Sequence, residues 1–239
     1  MRTVARRGSL PDGVSNRLLR EISKISAATD PVAEASARYD RCRRAAWFRP
    51  VVEELVSMAG EGARCMFCSG SEAGQVEHFR PKATYPNSAL QWLNMLWVCG
   101  ICNLAKGGRF NESSPPINPV DETVWDYLFI DEFGALSPRW NDVTNDLDPR
   151  AVVTIELLKL DRQALQESRH ARLKDLRERA LDTIALFSLG ELSAGDIQDR
   201  LIEWYTQPFQ PDVADYFFSG PGAQITTEPF RRLLEIANS

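Results

Sequence analysis

Two Cys-x-x-Cys pairs constrain this chain more than any other feature. Cys65/Cys68 (C-M-F-C) and Cys99/Cys102 (C-G-I-C) lie about thirty residues apart in a sequence of 239 residues. A two-residue gap lets both thiolates of a pair reach one tetrahedral ion, and two such pairs complete a closed four-sulfur zinc site. Closure leaves no coordination position for a substrate, so this zinc is structural. Chemistry must come from what the ion holds in place. The tied segment carries V-E-H-F-R-P-K (Val76 to Lys82) and W-L-N-M-L-W-V-C-G-I-C-N-L-A-K (Trp92 to Lys106).

Cysteine usage also bears on compartment. Arg2, Arg6 and Arg7 resemble the charged start of a secretory signal, but Gly8-Ser9-Leu10-Pro11-Asp12-Gly13 follows where an apolar run is needed. No stretch has the apolar length of a membrane span. The expectation is a cytoplasmic protein with reduced, metal-bound thiols and no membrane partner. The fifth cysteine, Cys42, falls on an apolar helical stripe and reads as core packing. Composition, 44% hydrophobic and 26% charged, is that of an ordinary globular chain. The net charge of −5 is unevenly spread: residues 1–50 carry +6, residues 51–110 balance, and residues 111–239 carry −11. A basic front and an acidic back suit a polyanion approaching from one side, although solvated helix faces give the same pattern.

The organisation expected is mainly α, a helical scaffold around a small zinc-stapled ββα-metal finger. Residues 1–60 form a basic helical region. Val14, Leu18, Ile22 and Ile25 share one helix face, and Asp30-Pro31 opens a second helix with Val32, Ala35, Tyr39, Cys42 and Ala46 at helical period. Pro50 opens a third helix, which Gly60 closes. Residues 61–115 hold the finger, with strands over 75–79 and 92–98 and a helix over 102–109. Residues 116–150 read as wrapping loops with a short hairpin. Residues 151–239 are helical, with a stripe of Leu165, Arg169, Leu173, Leu176, Ala180, Ile184 and Phe187 closed by Gly190. Ser193 and Asp196 cap the next helix, and a last helix after Thr227 buries Phe230, Leu233 and Leu234. His170 has no ligand-type neighbour at helical spacing and reads as a surface histidine.

The finger carries the chemistry. An imidazole at His78 is matched to take a proton from water near neutrality. Cleaving a phosphodiester also needs a hard cation, for which Glu77 offers a carboxylate and Asn103 an amide oxygen. Glu77 and His78, as strand neighbours, straddle the strand end. Lys106 lies one turn beyond Asn103, placed to meet a phosphate, and Asn94 is placed to bond the hairpin backbone. Arg80, Lys82, Lys106 and Arg109 around the finger, with Arg41 and Arg44 on the second helix, are the candidate nucleic-acid contacts. Arg38 and Arg43 lie on or beside that same basic face.

Glu-His, then Asn in W-L-N-M-L, then C-x-x-C-N-x-x-K resembles the HNH nuclease motif. The resemblance implies His78 as general base, Asn94 as the central orienting residue and Asn103 in place of the final histidine, with Mg2+ or Mn2+ as the catalytic ion. V-E-H-F-R-P-K, the long second-knuckle segment, I-N-P-V-D (Ile117 to Asp121) and T-I-E-L-L-K-L-D (Thr154 to Asp161) with its Arg-rich helix are similar to the PtuB-type HNH proteins of Septu and retron anti-phage systems. That resemblance implies a nuclease subunit acting on nucleic acid, DNA before RNA, with an ABC-type ATPase partner, PtuA. Asn118 stands where that branch leads one to expect Asp. The alternatives are an RNA- or tRNA-cleaving HNH effector, or a zinc finger serving as a non-catalytic adaptor.

Overall fold

The computed structural model describes residues 1–4, 7–207, 209–219 and 228–238, so Arg6 and Thr227 lie outside the described residues. Helices dominate, as the apolar periodicity requires. α1 (Asp12–Ser26), α2 (Pro31–Cys42) and α3 (Arg49–Met58) come first. Asp30 caps α2 by accepting from the amides of Val32 and Ala33, while Pro31 takes the first turn, where no amide is needed. Gly60, at φ +78°, lets the chain leave α3. Leu18, Ile25, Ala35, Tyr39 and Cys42 are buried as the stripes predict, but Val32 and Ala46 are exposed at the two ends of theirs.

β1 (Ala73–His78) and β2 (Met95–Cys99) then pair antiparallel, with Glu77 opposite Leu96 and His78 opposite Met95. The second strand is shorter than the sequence suggested, because Trp92–Asn94 winds into a 3-10 turn that aims Asn94 inward. α4 (Gly100–Lys106) follows without a linker and ends where Gly107 takes φ +54°. Residues 116–150 contain two hairpins rather than one: β3 (Leu128–Ile130) with β4 (Leu136–Pro138), and β5 (Trp140–Asn141) with β6 (Asp146–Leu147).

α5 (Pro149–Leu158), α6 (Gln163–Ser188), α7 (Ala194–Thr206), α8 (Pro211–Ala214) and α9 (Phe230–Ala237) complete the chain. Ser193 and Asp196 form a reciprocal capping box on α7. Leu234 is only half-buried, unlike Phe230 and Leu233. Apolar side chains from all four sequence regions enter one contiguous cluster running from Met1 to Ala237. Among the described residues no helix is long and apolar enough to cross a membrane.

Two arginines stand on the buried stripe of α6. Arg169 donates through Nε to Asp212 Oδ2 at 2.9 Å and through a terminal nitrogen to the Leu160 carbonyl at 3.2 Å. Arg172 is held by Asp175, Gln207 and the carbonyl of Trp204, each at 2.8 Å. Asp212 also accepts from the Met1 ammonium at 2.9 Å, and both side chains of the Arg169–Asp212 pair are fully buried. Burial would raise this carboxyl, but the ammonium and Arg169 hold it below the usual range. Replacing Asp212 with Ala strands two buried cations, so it should lower the unfolding free energy by about 3–5 kcal/mol. Asp199→Ala, at an exposed position, should change it by less than about 0.5 kcal/mol. Equal denaturation midpoints for the two variants would refute this assignment.

Candidate metal centre and finger site

The sulfurs of Cys65, Cys68, Cys99 and Cys102 lie within 4.8 Å of one another, and all four residues are buried. Zinc–sulfur bonds of about 2.3 Å place tetrahedral sulfurs about 3.8 Å apart. Cys68 Sγ and Cys99 Sγ stand at 3.8 Å, without a disulfide among the five cysteines. Donor type, number and spacing therefore fit a metal such as zinc. The first knuckle is shaped for this. Ser69 takes φ +62°, its amide donates to the Cys65 carbonyl at 2.8 Å, and the Cys65 amide donates to the Gly70 carbonyl at 2.9 Å. A Cβ on Gly70 would sit 3.2 Å from Cys68 Sγ. The second knuckle doubles as a helix cap, with Cys99 Sγ accepting from the Cys102 amide at 3.4 Å.

The cluster joins the ends of β1 and β2 to the start of α4, and the candidate chemistry sits at the far end of the same hairpin. His78 Nε2 donates to the Ala89 carbonyl at 2.8 Å, because a carbonyl can only accept. That fixes the tautomer and leaves Nδ1 with its lone pair. The Tyr39 ring packs edge-on against the imidazole at 4.5 Å, and the residue is 6% exposed. Burial pushes its pKa down to about 4, so the ring is neutral at pH 7.

Asn94, 5% exposed, meets the loop backbone as its position suggested. Its oxygen accepts from the Arg80 amide at 2.7 Å, and its nitrogen donates to the carbonyls of Arg80 at 3.0 Å and Ser88 at 2.9 Å. Ser88 precedes Ala89, the residue that holds His78. One asparagine thus ties both ends of the loop after β1.

Arg7 is a site residue that the sequence reading missed. Its guanidinium donates to the carbonyls of Trp92 and Met95, both at 2.9 Å, and of Leu93 at 2.7 Å, closing the turn that presents Asn94. Trp92 returns a bond to the Gly8 carbonyl at 3.1 Å. No local pattern announces a contact across 85 residues.

α4 lies against the Gln75/Glu77 side of β1. Asn103 Nδ2 donates to Gln75 Oε1 at 2.6 Å, and its Oδ1 accepts no hydrogen bond among the described residues. Lys106 corrects an expectation. It was placed to meet a phosphate, but its side chain has no exposed surface. Its Nζ donates to Glu77 Oε1 at 2.7 Å and to the His78 carbonyl at 2.9 Å. A lysine so enclosed cannot contact nucleic acid. Burial pushes the Glu77 carboxyl above its ordinary pKa, against the pull of Lys106. Glu77 and His78 straddle the strand end, and Lys106 spans it. No hydrogen bond joins His78 to Asn103, and the four cysteines are the one cluster of three or more Cys, His, Asp or Glu suited to an ion among the described residues.

Of the other basic candidates, Arg80, Arg109, Arg41 and Arg44 are exposed. Arg80 lies over the rings of Tyr85 at 5.4 Å and Phe110 at 5.7 Å, at the lip of a groove of about 420 Å³ that reaches Asn94, Asn118 and Arg150. Lys82 is half-buried over the Tyr39 ring at 5.0 Å. Arg38 is consumed by Glu21 at 2.6 Å and Glu34 at 2.5 Å, and Arg43 pairs with Asp40 at 2.8 Å, so α2 is less basic outward than its sequence. His170 is exposed, stacked on Phe133 at 6.5 Å. In I-N-P-V-D, Asn118 donates to Asp121 at 2.7 Å and accepts from the Val120 amide at 3.1 Å, a turn rather than an acidic ligand.

No protein-family model matches the chain. It is similar to the Septu protein PtuB of Bacillus thuringiensis, with 26% identity over 204 residues that cover 80% of this chain and 74% of that protein. The resemblance to PtuB-type proteins therefore extends well beyond the finger.

Metal binding and folding are coupled in small metal modules. The purified chain should carry one zinc per molecule by elemental analysis. Cys65→Ser and Cys99→Ser should each lose the metal together with the cooperative unfolding of the finger. A zinc-free wild type, or serine variants of unchanged melting temperature, would overturn the assignment.

Proposed function

We propose that the chain is the nuclease subunit of a Septu-type anti-phage defence system. It hydrolyses nucleic-acid phosphodiester bonds, DNA before RNA, at an HNH site on a ββα-metal finger. The observation that carries this reading is His78. Its Nε2 is committed to the Ala89 carbonyl and its Nδ1 is left unprotonated, next in the chain to an acid whose carboxylate is bonded by Lys106 of α4. An imidazole so held can take a proton from water attacking phosphorus. Asn94 and Arg7 keep the loop that orients it. Glu77 Oε and Asn103 Oδ1 are the oxygen donors suited to Mg2+ or Mn2+. A divalent ion bound there supplies charge neutralisation on the phosphate and the leaving oxygen. Arg80 and Arg109, exposed next to the finger, are the phosphate contacts, with Arg41 and Arg44 further out.

The acidic second half repels phosphates, and a finger of this size grips little duplex, since specific sites bury roughly 1,000 Å² or more of protein. The reading therefore includes a partner, an ABC-type ATPase of the PtuA kind, that delivers substrate and controls cleavage. A second reading, a non-catalytic zinc adaptor, is favoured by one observation: Glu77 and His78 are only 7% and 6% exposed.

Activity decides between them. Co-expressed with the ATPase encoded beside it and assayed on plasmid, single-stranded DNA and tRNA with Mg2+, the chain should cleave, and alone it should cleave poorly. His78→Ala should slow cleavage by about 10²–10⁴-fold while zinc content and partner binding persist. A variant that retains more than about a tenth of the rate, or a wild-type complex inert on all three substrates, supports the adaptor.

A further inference from the structure

Lys106 is the one fully buried lysine among the described residues, and none of its exposed neighbours on α4 shares its partners. A buried ammonium is costly unless compensated, and this one has two acceptors that belong to the two residues the proposed chemistry needs. It takes Glu77 through the carboxylate and His78 through the backbone carbonyl, at 2.7 and 2.9 Å. Because Glu77 and His78 project to opposite sides of β1, no direct bond between their side chains can set their relation. The ammonium from α4 does so instead. It also occupies the carboxylate to which a divalent ion would bind, and two cations on one carboxylate oppose each other at short range.

We propose that Lys106 is a positioning residue and the resident counter-cation of Glu77. It fixes the acid and the base relative to each other, and the divalent ion must share Glu77 with it. This rests on the reading of Glu77 as a ligand of the catalytic ion. It replaces a phosphate-binding role for Lys106 with one that makes metal affinity weaker and catalysis faster. The two effects have opposite signs on removal of the charge, which distinguishes them from simple damage to the fold, since damage weakens both.

The test uses the zinc-loaded full chain at pH 8. Mn2+ binding is measured by titration calorimetry, and single-turnover cleavage is measured with the partner present. Lys106→Met should bind Mn2+ at least about tenfold more tightly, a gain of one decade in affinity. It should cleave at least about tenfold more slowly at saturating Mn2+. Glu77→Gln should lose Mn2+ binding in either background. If Lys106→Met fails to hold zinc, Glu77→Gln/Lys106→Met should fold better than Lys106→Met alone, because it removes the stranded carboxylate; Lys106→Gln then serves for the binding measurement. Mn2+ affinity that is unchanged or weaker in a folded Lys106 variant overturns the inference while leaving Glu77 as a ligand. Mn2+ binding that survives Glu77→Gln overturns both.

Discussion

Everything at the finger depends on four sulfurs being held within one small volume. The hairpin of β1 and β2 is too short to stand alone, since an isolated two-stranded hairpin is marginal in water. α4 is two turns long, well below the length at which a helix persists unaided. Each is rescued by the other two through the cluster. Cys65 and Cys68 fix the chain entering β1, Cys99 ends β2, and Cys102 starts the face of α4 that carries Asn103 and Lys106. Because Cys99 both serves the cluster and caps α4, the direction of the helix is set at the cluster. One turn later that direction delivers Lys106 to Glu77.

Around this the chain repeats one device, a buried or half-buried cation gathering carbonyls and carboxylates. Arg7 takes three carbonyls of the Asn94 turn, Arg169 takes Leu160 and Asp212, Arg172 takes Trp204 with Asp175, and Lys106 takes His78 with Glu77. Arg suits the three sites with spread acceptors, because its planar fork reaches several at once, and Lys suits the one enclosed point. These contacts add direction to a core that apolar packing alone would leave free to slide.

The helices, their caps and the finger's order were legible because each rests on local pattern: Asp30-Pro31, the Ser193/Asp196 box, the Cys-x-x-Cys spacing and the apolar stripe of α6. Arg169 was legible as a stripe position, though not its partner. The failures share one cause. Lys106 and Arg38 were read as outward charges, and Arg7 only as part of a basic N-terminal run, because a charged residue is rarely fully buried. Lys106 and Arg7 are turned inward by acceptors far along the chain, at Glu77 and at Leu93, and no window of local sequence contains both partners; Arg38 adds distant Glu21 to Glu34, one turn back on its own helix. The 3-10 turn before β2 was missed for the same reason: Trp92 to Val98 is aromatic and apolar enough for a strand, but Arg7 holds three carbonyls there in turn geometry.

The same inward charges bear on how such a site would work. A general base needs an accessible lone pair and a metal acid needs an open carboxylate, yet His78 packs under Tyr39 and Glu77 is closed by Lys106. Both contacts come from helices that frame the hairpin rather than from the hairpin itself: α2 supplies Tyr39 and α4 supplies Lys106. The base thus lies under Tyr39, and Lys82, in the loop after β1, lies over that ring. The four-sulfur cluster, the Asn94 ties and the Arg7 clamp make no bond to Tyr39 among the described residues. A loop held at both ends and covered in the middle combines a fixed geometry with a restricted entrance. In a nuclease whose substrate is delivered by another subunit, that entrance is where the delivering surface would act.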